Sequence, residues 1–194
     1  DLKVTDAMTY AANATKSGFG DMGEAMQYTG QSANAAGISL NETVAAIGLL
    51  SNAGLQGSMA GTAFNAMLQK LAGASEKADS PMSALGVNVA AFKKGTIGLP
   101  EVIDQVTQKT KGMSDAQKVA AVNAAFGERG GRAMLALMNQ GSSALVDLTN
   151  KTASAAGATK KVSDAMGNTA AANFNKLKSS IQVLGIEIGQ NLLP

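Results

Sequence analysis

Residues 39–72 read SLNETVAAIGLLSNAGLQGSMAGTAFNAMLQKLA, and the fold class follows from them. Ser39 suits an N-cap, and Glu42 stands three residues on, the spacing of a capping box. Val44, Ile47 and Leu50 follow at helical spacing. Asn52-Ala53-Gly54 then supplies a C-cap and a tight turn. A second helix is expected from Ser58, read as its cap. Ala60, Ala63, Phe64, Met67, Leu68 and Leu71 fall at i, i+3, i+4, i+7, i+8 and i+11, an apolar stripe of helical period. So short a turn predicts an antiparallel helical hairpin, with Ile47 and Leu50 packing on Phe64, Met67, Leu68 and Leu71.

Working outward toward the N-terminus, Val4, Ala7, Met8 and Ala11 share a helical face that runs to about Lys16. Gly18 and Gly20 interrupt it. Asp21 is placed to cap a helix to about Ala36 with Met22, Ala25, Met26 and Ala33 inward and Tyr28 at the edge of that face. Gly37 ends this helix, and Ile38 stands as a staple residue before Ser39.

Toward the C-terminus, Ser80 to Leu85 is a short helix with Pro81 at its first position. Residues 87–98 carry alternating Val87 and Val89 and a glycine-lysine cluster, which predicts a short β excursion. Leu99 to Lys111 is helical, with Val102, Ile103 and Val106 on one face. Ser114 and Gln117 form a second capping box, ahead of a stripe of Val119, Val122, Ala125 and Phe126 that Gly127 ends. A short helix follows from Arg132 to Met138, with Met134, Leu135, Leu137 and Met138, and another around Leu145, Val146 and Leu148.

Gly157 to Lys161 is a polar break. Beyond it, Phe174, Leu177, Ile181, Leu184 and Ile188 are spaced 3, 4, 3, 4, an a/d seam through which copies of the chain can self-associate. The expected fold is all-α. It comprises six to nine helices, many of them short: a multi-helix bundle of short antiparallel helices over residues 1–155 and a long amphipathic C-terminal helix over 156–194.

Composition narrows the chemistry. The 194 residues contain no cysteine and no histidine, which removes thiol nucleophiles, disulfides, serine–histidine triads and zinc sites built on those ligands. A formal charge of +2 and two arginines, Arg129 and Arg132, leave no broad footprint for direct nucleic-acid recognition. No window holds the ~20 apolar residues of a membrane span. The opening Asp1-Leu2-Lys3-Val4 is no signal peptide and lacks an initiator methionine, so the chain reads as a fragment or a processed product.

Candidate sites are few. Glu101 and Asp104 lie one turn apart, but at a helix start, where acidic residues serve the dipole. The turn Gly54 to Gly61 lacks the lysine of a phosphate loop. Gly57-xxx-Gly61 and Gly185-xxx-Gly189 favour close helix packing over a membrane motif. Glu128-Arg129-Gly130-Gly131-Arg132 is read as a flexible solvated turn, with docking of an acidic partner or phosphate as its rival. The methionines at helical spacing fit a gap-filling core better than an adaptable binding surface. No catalytic, cofactor-binding or metal-binding residue is identified.

Residues 48–72, GLLSNAGLQGSMAGTAFNAMLQKLA, followed by SALGV at 83–87, resemble the core domain of tailed-phage tape measure proteins. The likeness continues through GVNVAAFKKGTIGLPEVIDQV at 86–106 and Phe126-Gly127 to the C-terminal proline, so it spans roughly Ala12 to Pro194. Ala91-Phe92-Lys93 departs from it, standing where the family commonly has an acidic residue. The resemblance implies a structural, non-enzymatic protein of the virion, made in the bacterial host cytoplasm and lodged in the tail lumen. It would set tail length during assembly and leave the tube for DNA ejection. Its implied partners are other copies of itself, the tail tube protein and tail assembly chaperones. Two alternatives stand beside it: a membrane-active ejection-channel module in contact with the host membrane through Ile181 to Leu193, and a generic helical adaptor of a bacterial surface system.

Overall fold

The structure is a computed structural model and describes residues 2–166. Among these, ten helices and no strands form the fold: α1 Leu2–Ala14, α2 Phe19–Ala35, α3 Leu40–Asn52, α4 Gly57–Ala72, α5 Pro81–Ala84, α6 Val89–Lys93, α7 Leu99–Lys109, α8 Asp115–Gln140, α9 Ser142–Ala153 and α10 Ala158–Met166. The all-α class is as expected. The β excursion is not: Val87 and Val89 are both buried, but Asn88 between them caps α6 by accepting from the Ala91 N–H at 3.0 Å. A turn bent around a cap brings alternate residues inward as a strand would, and this extra helix helps take the number past the expected nine.

Local signals act where the sequence places them. The Ser39 hydroxyl accepts from the Glu42 N–H, and Ser80 accepts from the Ser83 N–H ahead of Pro81. Ser114 and Gln117 complete a reciprocal box, satisfying two N-terminal donors of α8. Other ends differ. Gly18 is the N-cap of α2, and Asp21 sits inside the first turn, accepting from the Gly18 N–H. Ser58 likewise lies within α4, whose N-cap Gln56 makes no side-chain cap bond, because the helix begins one residue earlier at Gly57.

The core centres on α4. Its stripe of Ala60, Ala63, Phe64, Met67, Leu68 and Leu71 is buried throughout. Its chief neighbours are α2 on one side and α8 on the other, while α3 packs mainly on α9 and α2 and touches α4 less. Two glycines set these approaches. A Cβ on Gly61 would lie 2.6 Å from the Ala25 carbonyl oxygen of α2, and one on Gly130 would lie 2.9 Å from the Met67 nitrogen of α4. Bare backbone on one helix thus meets backbone on the next, closer than any side chain permits.

Helix α8 is one element with a break. Gly127 has φ 70° and ψ 168°, a conformation reserved for glycine, so the ladder bends there and resumes rather than ending. The bend places Phe126, Met134 and Leu137 together in the core and leaves Val119, expected inward, 42% exposed. The sequence Glu128 to Arg132 is therefore helix, not a flexible turn, and Gly130 and Gly131 within it are buried. Met22, Met26, Met67 and Met134 are fully buried gap fillers, whereas Met59 is 52% exposed.

Candidate functional site

The acidic pair at the start of α7 does not converge. Glu101 accepts from the Gly98 N–H at 2.8 Å as an N-terminal cap, and Asp104 accepts from the Ser142 hydroxyl of α9. Among the described residues no three acidic groups stand together as metal ligands, and no helix is long and apolar enough to cross a membrane.

The six residues expected at the hairpin contact, Ile47, Leu50, Phe64, Met67, Leu68 and Leu71, are all buried in the common core. The seam Phe174, Leu177, Ile181, Leu184 and Ile188 lies outside the described residues.

Three polar arrangements stand out, two of which the sequence did not announce. The first joins the two ends of the described chain. Both carboxylate oxygens of Asp6, on α1, accept main-chain N–H groups at the start of α10: Gly157 at 2.8 Å and Thr159 at 3.0 Å. Beside them the Thr9 and Thr159 hydroxyls lie 3.3 Å apart. Asp6 thus caps a helix some 150 residues away in sequence, which explains why helix begins at Ala158, inside the stretch expected to be a polar break. Burial pushes the Asp6 carboxyl up, but the Thr159 side chain and the Thr159 and Gly157 N–H groups outweigh it and hold it below its ordinary value.

The second is Glu42. The capping box expected with Ser39 is half made, because the Glu42 carboxylate does not return to the Ser39 N–H; its Oε1 is buried without a hydrogen-bond partner. It borders a pocket of about 290 Å3 between the α2–α3 junction and the α6–α7 loop, with Ile38, Phe92 and Ile97 in the lining. Burial and then the charge of Glu101 raise its pKa.

The third is a pocket of about 260 Å3 where α4 meets the second half of α8, lined by Leu55, Met59, Thr62, Ala63, Arg129 and Arg132. Arg132 pairs with Glu128 at 3.1 Å, an exposed i,i+4 contact.

Residues 2–127 match a family described as phage-related minor tail protein. The chain is similar to the tape measure protein of Pneumococcus phage Dp-1, 30% identical over 191 residues that cover 98% of this chain and 17% of that protein. It is also similar to the probable tape measure protein of Escherichia phage P2, 28% identical over 188 residues, covering 95% of this chain and 23% of the relative. The chain therefore spans less than a quarter of the length of these curated relatives. No solved structure matches it.

Proposed function

Since the chain belongs to the phage-related minor tail protein family, we propose that it is a structural segment of a tail tape measure protein, one that helps set tail length during assembly and leaves the tube for DNA ejection. The observation that carries this reading is the likeness to two phage tape measure proteins along almost the whole chain. Helical content is consistent with it: each residue in helix contributes about 1.5 Å of axial length, so chain length converts into tube length when helices are laid end to end. The role is mechanical rather than catalytic. Its setting is the tail lumen of the virion, after synthesis in the host cytoplasm, with the tail tube protein, assembly chaperones and further copies of the chain as partners.

The compact fold sharpens the test. In the bundle α4 packs side-on against α2 and α8 and α3 against α9 and α2, so the two helices add their full length only when laid end to end. Laid end to end, residues 39–72 would contribute about 50 Å. Electron microscopy of particles whose gene carries an in-frame deletion of Ser39 to Ala72 is expected to show tails shortened by up to that amount. Tails of normal length refute the ruler reading for this segment, and if they also fail to deliver DNA, the role moves to ejection.

A further inference from the structure

Both arginines of the chain border one pocket, and the fold has brought them there from what reads in sequence as an exposed turn. Because residues 128–140 are helical, Arg129 and Arg132 project one turn apart from a rigid element, held against α4 by the Gly130–Met67 contact. Arg129 has neither hydrogen bond nor ion pair among the described residues. The single partner of Arg132, Glu128, is itself exposed and one turn away, an ion pair that water competes for and an incoming carboxylate can replace.

The rest of the lining is apolar or small. Leu55 and Ala63 form part of it, and Met59 stands 52% exposed while Met22, Met26, Met67 and Met134 are fully buried. A flexible thioether left in solvent at the edge of a pocket adapts to an apolar partner group. Two guanidinium forks beside such a surface suit a planar carboxylate with an aliphatic neighbour. A polyanion read through its phosphates would call for a wider basic field than a chain of net charge +2 provides.

We propose that the pocket between α4 and α8 docks an acidic segment of a partner protein, with a carboxylate on Arg129 and Arg132 and an adjoining apolar side chain on Leu55 and Met59. The inference stands on this surface alone and does not depend on the length-setting role.

The test is titration of the 15N-labelled 194-residue chain with a capped peptide of alternating leucine and glutamate, read by amide shifts. Saturable shifts confined to Leu55, Met59, Thr62, Ala63 and the α8 residues 128–132 are expected. The double variant Arg129→Gln, Arg132→Gln, with unchanged circular dichroism, should weaken binding about tenfold or more. Met59→Ser, which leaves the charges in place, should weaken it several-fold. Equal binding of a leucine–lysine peptide overturns the proposal, as does unchanged affinity in the double variant. Stronger shifts at the same amides with a single-stranded 12-nucleotide DNA also overturn it and make the site a phosphate contact.

Discussion

Replacing Gly61 by alanine puts a methyl group into the tightest helix contact of the bundle. Its Cβ would lie 2.6 Å from the Ala25 carbonyl oxygen, 2.9 Å from the Ala25 Cα and 3.0 Å from the Tyr28 Cβ. The first two are main-chain atoms that no rotamer change can move. Relief requires α2 and α4 to separate by about an ångström, which opens gaps around Phe64, Met22 and Met26 on the same buried seam. Overpacking of this kind costs about 1–3 kcal/mol, here toward the upper end because the obstacle is backbone. Alanine returns up to about 1 kcal/mol through its helix propensity. The net destabilisation is about 2 kcal/mol, a fall in Tm of roughly 4–8 °C for a chain of this size. Thermal unfolding followed by circular dichroism measures it, and Gly20→Ala is the internal control. That glycine is also helical, but nothing lies within 4 Å of its added Cβ, so its variant should melt no lower than the parent. A neutral or stabilising Gly61→Ala would refute the claim that bare backbone sets the α2–α4 distance.

Glu42→Gln should stabilise the fold. The raised folded pKa means that the Glu42 contribution is fully present below the unfolded value near 4.5 and is lost as pH rises through the folded one. The variant's advantage in denaturant midpoint should therefore widen from pH 4 toward neutrality, and a gap independent of pH would contradict it. Asp6→Ala should release α10 while sparing the core, seen as faster amide exchange at Gly157 and Thr159 with protection in α4 unchanged. Its carboxyl has the opposite sign: stability it supplies is present above the unfolded value of 3.8 and is lost as pH falls through the lowered folded value, so acid should loosen α10 in the parent as well. Ser114→Ala removes the side-chain half of a completed box and should cost about 1 kcal/mol in chemical denaturation.

What the sequence discloses is local. Ser39, Ser80 with Pro81, and Ser114 with Gln117 are caps whose geometry is settled within four residues, and the stripe from Ala60 to Leu71 is settled within one helix. Choice of neighbour is not local. A short turn at Gly54 predicts that α3 and α4 are each other's main partners, yet Gly61 and Gly130 draw α4 toward α2 and α8 instead. The Gly57-xxx-Gly61 spacing marks Gly61 for close packing but does not say which helix it meets, and nothing in the pattern marks Gly130. Asp6 shows the same limit, since an aspartate near a helix start gives no hint of a cap waiting some 150 residues on. The arginine surface was half legible: its composition was visible, but its rigidity rests on Gly127 bending a helix rather than ending it.

That bend bears on how much of the packing one residue controls. Gly127 is the one residue among the 26 of α8 whose backbone is not helical. With its positive φ, residues 128–140 lie along α4. Ordinary helical angles at 127 would instead make α8 a straight rod of about 39 Å and would carry Gly130 off Met67. Any other residue at 127 would penalise the bent form by about 1–3 kcal/mol and leave the straight one unpenalised. The α4–α8 contact therefore rests on the backbone freedom of a single residue, and a side chain at 127 would weigh against that contact rather than against helix formation on either side of it.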